Sequence, residues 1–186
     1  MGLLGGLFEK KNCDICGQKI GLLGNRKLED GNLCKDCAAK LSPWFSERRH
    51  STLEDIRAQL EYREKNLEAV RAFHPTKTFG KGVKLLVDEN ARKFAVTGAT
   101  DLLKANPDIL DCADAWDCRL DVQESRTEEK QTKDGKQVSY NPPRYKYSYN
   151  FYCTILVNHP YFDDMRFSLN TGSVSTGNRS MTQGSM

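Results

Sequence analysis

The stretch CDICGQKIGLLGNRKLEDGNLCKDC, residues 13–37, holds four of the chain's seven cysteines. They form two C-x-x-C pairs, Cys13/Cys16 and Cys34/Cys37, with seventeen residues between Cys16 and Cys34. Two thiols separated by two residues can grip one ion, because a tight knuckle turn aims both sulfurs inward. Gly17, directly after Cys16, suits the positive backbone angle such a knuckle needs. Paired C-x-x-C motifs at this separation match structural zinc sites, where four thiolates close a tetrahedron. The competing readings are two disulfides or free core cysteines. An odd cysteine count without an export signal points to a reducing cytoplasm and favours the metal. We therefore expect one structural zinc ion on Cys13, Cys16, Cys34 and Cys37. Four thiolates leave no open position for water or substrate, so the site is expected to hold a fold and not to perform catalysis.

The residues between the pairs fit a compact module. KIGLL and RKLE read as short strands, Asp30-Gly31 as a hairpin turn, and Ala38–Leu41 as a helical turn stopped by Pro43. The order of knuckle, hairpin and second pair predicts a treble-clef-like finger over residues 11–46, with a two-knuckle zinc ribbon as the alternative. So small a module cannot bury enough apolar surface to fold alone, and the metal must supply most of its stability.

Outward from the finger, the N-terminal segment 1–10 carries Leu3, Leu4, Leu7 and Phe8 without the basic region or cleavage site of a secretory signal. Its Met-Gly start lacks the Ser or Thr of a myristoylation motif, since Gly6 stands there. SERRHS at 46–51 reads as a polar linker. A helix follows over 51–74, with Ser51 and Glu54 as a capping box and Pro75 as its stop. Leu53, Ile56, Leu60, Leu67 and Val70 form an apolar seam that Arg63 interrupts. The helix is expected to join two domains that are stabilised separately.

From residue 80 the period changes to alternation, which predicts an antiparallel β-domain over 80–170. VKLLVDENARKFAVTG reads as two strands around a turn at Asp88–Ala91. WDCRLDVQE puts Trp116, Cys118, Leu120 and Val122 on one face. YKYSYNFYCTILV puts Tyr145, Tyr147, Tyr149, Phe151, Cys153, Ile155 and Val157 on another, and Met165, Phe167 and Leu169 alternate in the last strand. SRTEEKQTKDGKQVSYNPP (125–143) is charged, with an Asp134-Gly135 turn and a Pro pair, and reads as a long mobile loop that forms a partner-binding edge. Residues 171–186 read as a flexible tail. The fold class is thus α+β.

The composition limits function. With 28 basic and 25 acidic residues among 186 the chain is nearly neutral, which gives weak electrostatic grounds for nucleic-acid binding. No apolar run reaches a membrane span. No phosphate loop, catalytic triad or metalloprotease motif is present. His50, His74 and His159 are isolated from one another, and Cys112, Cys118 and Cys153 read as buried small hydrophobes. A carboxylate enzyme would have to use Asp108, Asp111 and Asp114, which are more simply a turn and strand lead-in.

The stretch from Cys13 to Phe45, with the capped helix and AFHPT after it, resembles a family of Gram-positive bacterial proteins whose N-terminal segment is described as a zinc-binding domain of unknown function. VDENARKF, NPDIL and the strand pairs are similar to bacterial pleckstrin-homology-like β-domains, although no helical pattern follows residue 170 to cap the sheet. The resemblance carries over the four cysteine ligands and nothing catalytic. Together these readings predict a non-enzymatic, cytoplasmic interaction or adaptor protein. Its partner is expected to be a protein first and a membrane lipid head group second, which would bring the chain to the membrane periphery. The alternative is a nucleic-acid-binding finger using Lys19, Arg26, Lys27 and Lys35.

Overall fold

The computed structural model describes residues 11–176. The N-terminal apolar segment 1–10 and the expected tail beyond residue 176 lie outside the described residues. Within the finger, strands β1 (Arg26–Lys27) and β2 (Asn32–Leu33) pair antiparallel, with Arg26 opposite Leu33. Helix α1 (Lys35–Ala38) follows. It starts one turn before the expected Ala38–Leu41, because the Cys34 sulfur accepts the Cys37 N–H and caps it there. KIGLL is not a strand. Lys19 makes a single bridge to Asn12, and residues 21–24 turn, with the Gly24 N–H on the Gly21 carbonyl at 2.9 Å.

Helix α2 (Leu53–Ala72) is the long helix that the punctuation predicted, but its cap lies one residue later than Ser51/Glu54. The Thr52 hydroxyl accepts the Asp55 N–H at 3.2 Å, and the Asp55 carboxylate accepts the Thr52 N–H at 2.8 Å. Either pair satisfies the sequence signature, but the Ser51 hydroxyl instead donates to the Glu47 carbonyl. The buried stripe of α2 is Ile56, Gln59, Arg63, Asn66 and Val70. Its spacing of three, four, three and four is that of a single helix face. The expected apolar seam is thus displaced: Leu53, Leu60 and Leu67 flank the stripe half-buried, and Arg63 lies in it.

Two four-stranded antiparallel sheets follow. The first runs β3 (Lys77–Phe79), β4 (Lys84–Asp88), β5 (Lys93–Thr97) and β6 (Leu110–Asp111), side by side in chain order. A short helix, α3 (Leu102–Ala105), lies between β5 and β6. In the second sheet β8 (Lys136–His159) is central. It pairs with β7 (Ala115–Lys133) on one side, and with β9 (Phe162–Ser168) and β10 (Val174–Thr176) on the other. Alternation sends Phe94 and Val96 of β5 into a core with Cys153, Ile155, Val157, Met165 and Phe167 of the second sheet. Ala95 and Leu86 face the other way, onto Val70 and Phe73 at the end of α2. The layers are therefore helix, sheet and sheet.

Two expectations fail for the same reason. Residues 125–143 are not a loop: β7 and β8 continue as a ribbon to a two-residue turn at Asp134-Gly135, both with positive φ. The ribbon is exposed on both faces, so no hydrophobic alternation marks it. Arg126 of β7 over the Tyr145 ring of β8 (4.4 Å to its centroid) ties the two strands laterally, and Arg144 over Tyr140 (4.5 Å) braces β8 along its own length. Likewise Trp116, Leu120 and Val122 alternate but are not core, being 65%, 73% and 54% exposed. They lie on the outer strand of the sheet, beyond the reach of the first sheet, and the bulge between Ala115 and Asp117 displaces Trp116. The first part of the expected tail is also ordered, since Val174–Thr176 pair with Tyr147–Tyr149.

The helix does not act as a spacer. Ile56 belongs to the finger core with Cys13, Leu28, Leu33 and Leu41, while Val70 belongs to the sheet side. Between them Arg63 Nη1 meets Asp108 Oδ1 at 2.8 Å, both buried. Asp108 also accepts Ser42 Oγ at 2.8 Å and Tyr62 OH at 3.1 Å. Arg63 donates further to the Lys40 and Asn106 carbonyls. Asn66 bonds the Pro107 carbonyl at 2.8 Å and the Ile109 N–H at 3.0 Å. Finger, helix and sheet thus share one buried polar junction, which Trp44, packed against the main core, reinforces.

Removing one partner of such a pair leaves an uncompensated charge. Arg63→Ala should lower unfolding stability by about 3–5 kcal/mol, read as the urea midpoint. The double variant Arg63→Met/Asp108→Leu should lose much less.

Candidate metal centre

The first cysteine pair sits in a knuckle. The Gly17 N–H donates to the Cys13 carbonyl at 2.7 Å, and the Cys13 N–H donates to the Gln18 carbonyl at 2.8 Å. Gly17 has φ +71°, the left-handed value the sequence required of it. The second pair opens α1. Asp14 joins the two: its N–H donates to the Asn32 carbonyl at 2.9 Å and its carboxylate accepts the Asn32 N–H at 2.7 Å. The turn before β2 packs so closely that a Cβ on Gly31 would come within 3.0 Å of Asp14 Oδ2 and of Leu53. Asp30 accepts the Leu53 N–H at 2.8 Å, so the hairpin turn also caps α2.

This framework converges the four sulfurs. All four Sγ atoms lie within 4.8 Å of one another, and Cys16 and Cys34 are 3.7 Å apart. Four sulfurs at metal–sulfur distances of about 2.3 Å form a tetrahedron with edges of about 3.8 Å, whereas a disulfide requires about 2.05 Å. The spacing fits a shared ion, and all four cysteines are free rather than paired in disulfides. Cys13, Cys34 and Cys37 are buried and Cys16 is exposed, so one corner of the cluster faces solvent. Among the described residues this is the one group of three or more His, Cys, Asp or Glu side chains close enough to share an ion.

The local electrostatics are uneven. Burial raises the Cys13 thiol, but N–H donors from Cys16, Cys34 and Ile15 outweigh it and draw its pKa down to about 6. Burial and the three neighbouring thiols push Cys37 well above its ordinary value. Cys16 is also raised: the Gln18 N–H lowers it, but burial and neighbouring sulfurs prevail. Packing the thiols together thus favours the thiolate at Cys13 and disfavours it at Cys16 and Cys37 in the absence of a cation.

The other candidate residues are dispersed. Asp108 is committed to Arg63, Tyr62 and Ser42, and Asp111 pairs with Lys93 at 2.8 Å. Asp114 lies in the 3-10 turn after β6. Cys118 and Cys153 approach to 3.4 Å. Cys153 is buried, and burial together with Cys118 raises its thiol to about 11. Cys118 is exposed rather than buried, being on the outer strand. Of the basic residues, Arg26 and Lys27 come together with Arg48 and Arg49 of the supposed linker along one groove, which Lys19 and Lys35 do not line. The sequence did not connect these two clusters, because the junction is made by the fold: Arg48 donates to the Lys27 carbonyl at 2.7 Å.

Residues 11–59 match the family described as Domain of unknown function (DUF4428). The match covers the finger and the start of α2, roughly a quarter of the chain. No curated protein and no solved structure gives a significant match. Among the described residues no helix is long and apolar enough to cross a membrane.

Because Ile56 and the Asp108 junction join finger to sheets, metal loss should propagate. Chelator treatment should lower the thermal midpoint of the β-sheet signal as well as disorder residues 11–45, contrary to the separate stabilisation that the sequence suggests. Cys34→Ser should reproduce that shift without chelator. Circular dichroism melting with parallel elemental analysis checks both.

Proposed function

We propose that this protein is a non-enzymatic interaction module. In this reading a zinc ion on Cys13, Cys16, Cys34 and Cys37 closes a treble-clef-like finger. The finger is fixed on a pleckstrin-homology-like β-domain that serves as a platform for a protein or lipid partner. One observation carries the reading: four converging sulfurs would saturate a tetrahedral ion, so the metal builds structure and activates no water. An all-sulfur donor set favours zinc among the common cellular cations. A cytoplasmic setting, where thiols stay reduced, suits it. For the β-domain, the support is the packing of α2 against Leu86 and Ala95, which covers the sheet as a capping helix would.

The platform has a projecting part. The ribbon of β7 and β8 carries the exposed Leu120, Val122 and Phe151 at its base, and a protein partner would engage its edge by strand addition. Nucleic-acid binding is a second reading, favoured by the joint groove of Arg26, Lys27, Arg48 and Arg49.

The test joins metal content to partner capture. Purified protein should contain about one equivalent of zinc. Excising residues 127–146 and linking Arg126 to Tyr147 through an Asn-Gly turn keeps every cross-strand pair below the cut. This variant should retain zinc and its melting transition but lose a crosslinked protein partner. Unchanged capture would remove the ribbon from the interface. Capture that collapses steeply with salt and is competed by oligonucleotide would favour the nucleic-acid reading.

A further inference from the structure

Leu22 and Leu23 are the two most exposed large apolar side chains among the described residues, at 82% and 90%. They sit side by side on the turn over residues 21–24 that projects from the first cysteine knuckle. A pair of leucines held out in water by a tight turn contributes nothing to the finger's own core, which Leu28 and Leu33 fill. Such a tip marks a surface that meets something apolar.

The residues beneath the tip are cationic. Arg26 Nη1 donates to the Leu23 carbonyl at 3.3 Å and the Asn25 carbonyl at 3.4 Å, which fixes its guanidinium at the base of the turn. From there the groove continues through Lys27 to Arg48 and Arg49, with a volume of about 820 Å³. Among the described residues none of these four cations forms an ion pair with a carboxylate. Glu29 is the single acidic residue in the lining. The guanidiniums that are bonded use backbone carbonyls, which leaves their charge uncompensated. Burial, then the charges of Arg26 and Arg49, holds Arg48 below its ordinary value. The like charges of Arg26 and Arg49 thus lie close enough to Arg48 to disfavour its charge, and an anion in the groove would relieve that repulsion.

We propose that the Leu22–Leu23 tip and the Arg26, Lys27, Arg48 and Arg49 groove form one docking surface for an anionic lipid bilayer. The leucines enter the interface and the cations meet phosphate head groups. Apolar insertion and charge attraction are each weak, and together they give reversible membrane attachment. A nucleic-acid backbone would satisfy the cations but would leave both leucines in water, and the groove lining offers no aromatic ring for base stacking. An acidic protein face would compete for the charges without requiring a projecting tip. The inference rests on the metal-closed finger proposed above, because the knuckle that projects the tip is built on Cys13 and Cys16.

The test is co-sedimentation of the full chain, of known metal content, with phosphatidylcholine vesicles and with mixed phosphatidylcholine–phosphatidylglycerol vesicles. Binding is expected to the mixed vesicles only and to weaken with salt. Leu22→Ser/Leu23→Ser should lower the partition coefficient about tenfold or more, with metal content and melting unchanged. Arg48→Gln/Arg49→Gln should lower it by about fivefold per charge. Two outcomes overturn the proposal: metal-loaded protein that ignores anionic vesicles, or binding indifferent to the leucines. Protein that binds no metal at all would instead defeat the reading of the finger, and elemental analysis distinguishes the two failures.

Discussion

The carboxylate of Asp108 has no exposure to solvent, and the arrangement of the whole chain depends on how that charge is accommodated. An isolated buried carboxylate would shed its charge or unfold its surroundings. Here it accepts from Arg63, Ser42 and Tyr62, and Arg63 spends its remaining donors on the Lys40 and Asn106 carbonyls. These partners come from three places: the segment after the second cysteine pair, the middle of α2, and the turn before β6. Satisfying one charge therefore fixes the orientation of three structural pieces. A buried ion pair adds little net stability compared with apolar packing of the same volume, but it tolerates far fewer alternative arrangements. Its role here is to set one geometry.

That constraint explains why the buried face of α2 departs from its apolar seam. A hydrophobic seam is the ordinary signature of a buried helix face, yet Leu53, Leu60 and Leu67 are only half-buried. The stripe that is buried has polar residues at its centre, Gln59, Arg63 and Asn66, each facing a polar atom of another segment. The signal was present in one form: Arg63 interrupts the apolar seam, a buried arginine needs a partner, and the acidic turn after Pro107 supplies one in Asp108.

The cysteine framework was legible because its chemistry depends on spacing alone. The strands were legible by alternation where one face is dry and the other wet, as in β9 and the second half of β8, and by a turn between two β-rich runs in β4 and β5, where α2 and the second sheet cover opposite faces of β5. Where both faces meet water, in the outer halves of β7 and β8, side chains carry no alternation, and the pairing is directed by the Asp134-Gly135 turn and by cross-strand contacts. Alternation also misplaced Trp116, Leu120 and Val122, since it reports which residues share a face and not whether anything lies opposite.

The ribbon has one physical consequence beyond recognition. Beyond Arg126, which lies opposite Tyr147 where β10 ends, it runs on from Thr127 to Lys133 without a flanking strand among the described residues, or roughly 23 Å at strand rise. A compact chain of this length would have a radius of gyration of about 16 Å. A thin arm of that reach adds little mass but much drag, so the molecule should tumble and sediment more slowly than a compact body of its mass. Its tip also stands clear of the core, so a large surface approaching from that side meets the arm first.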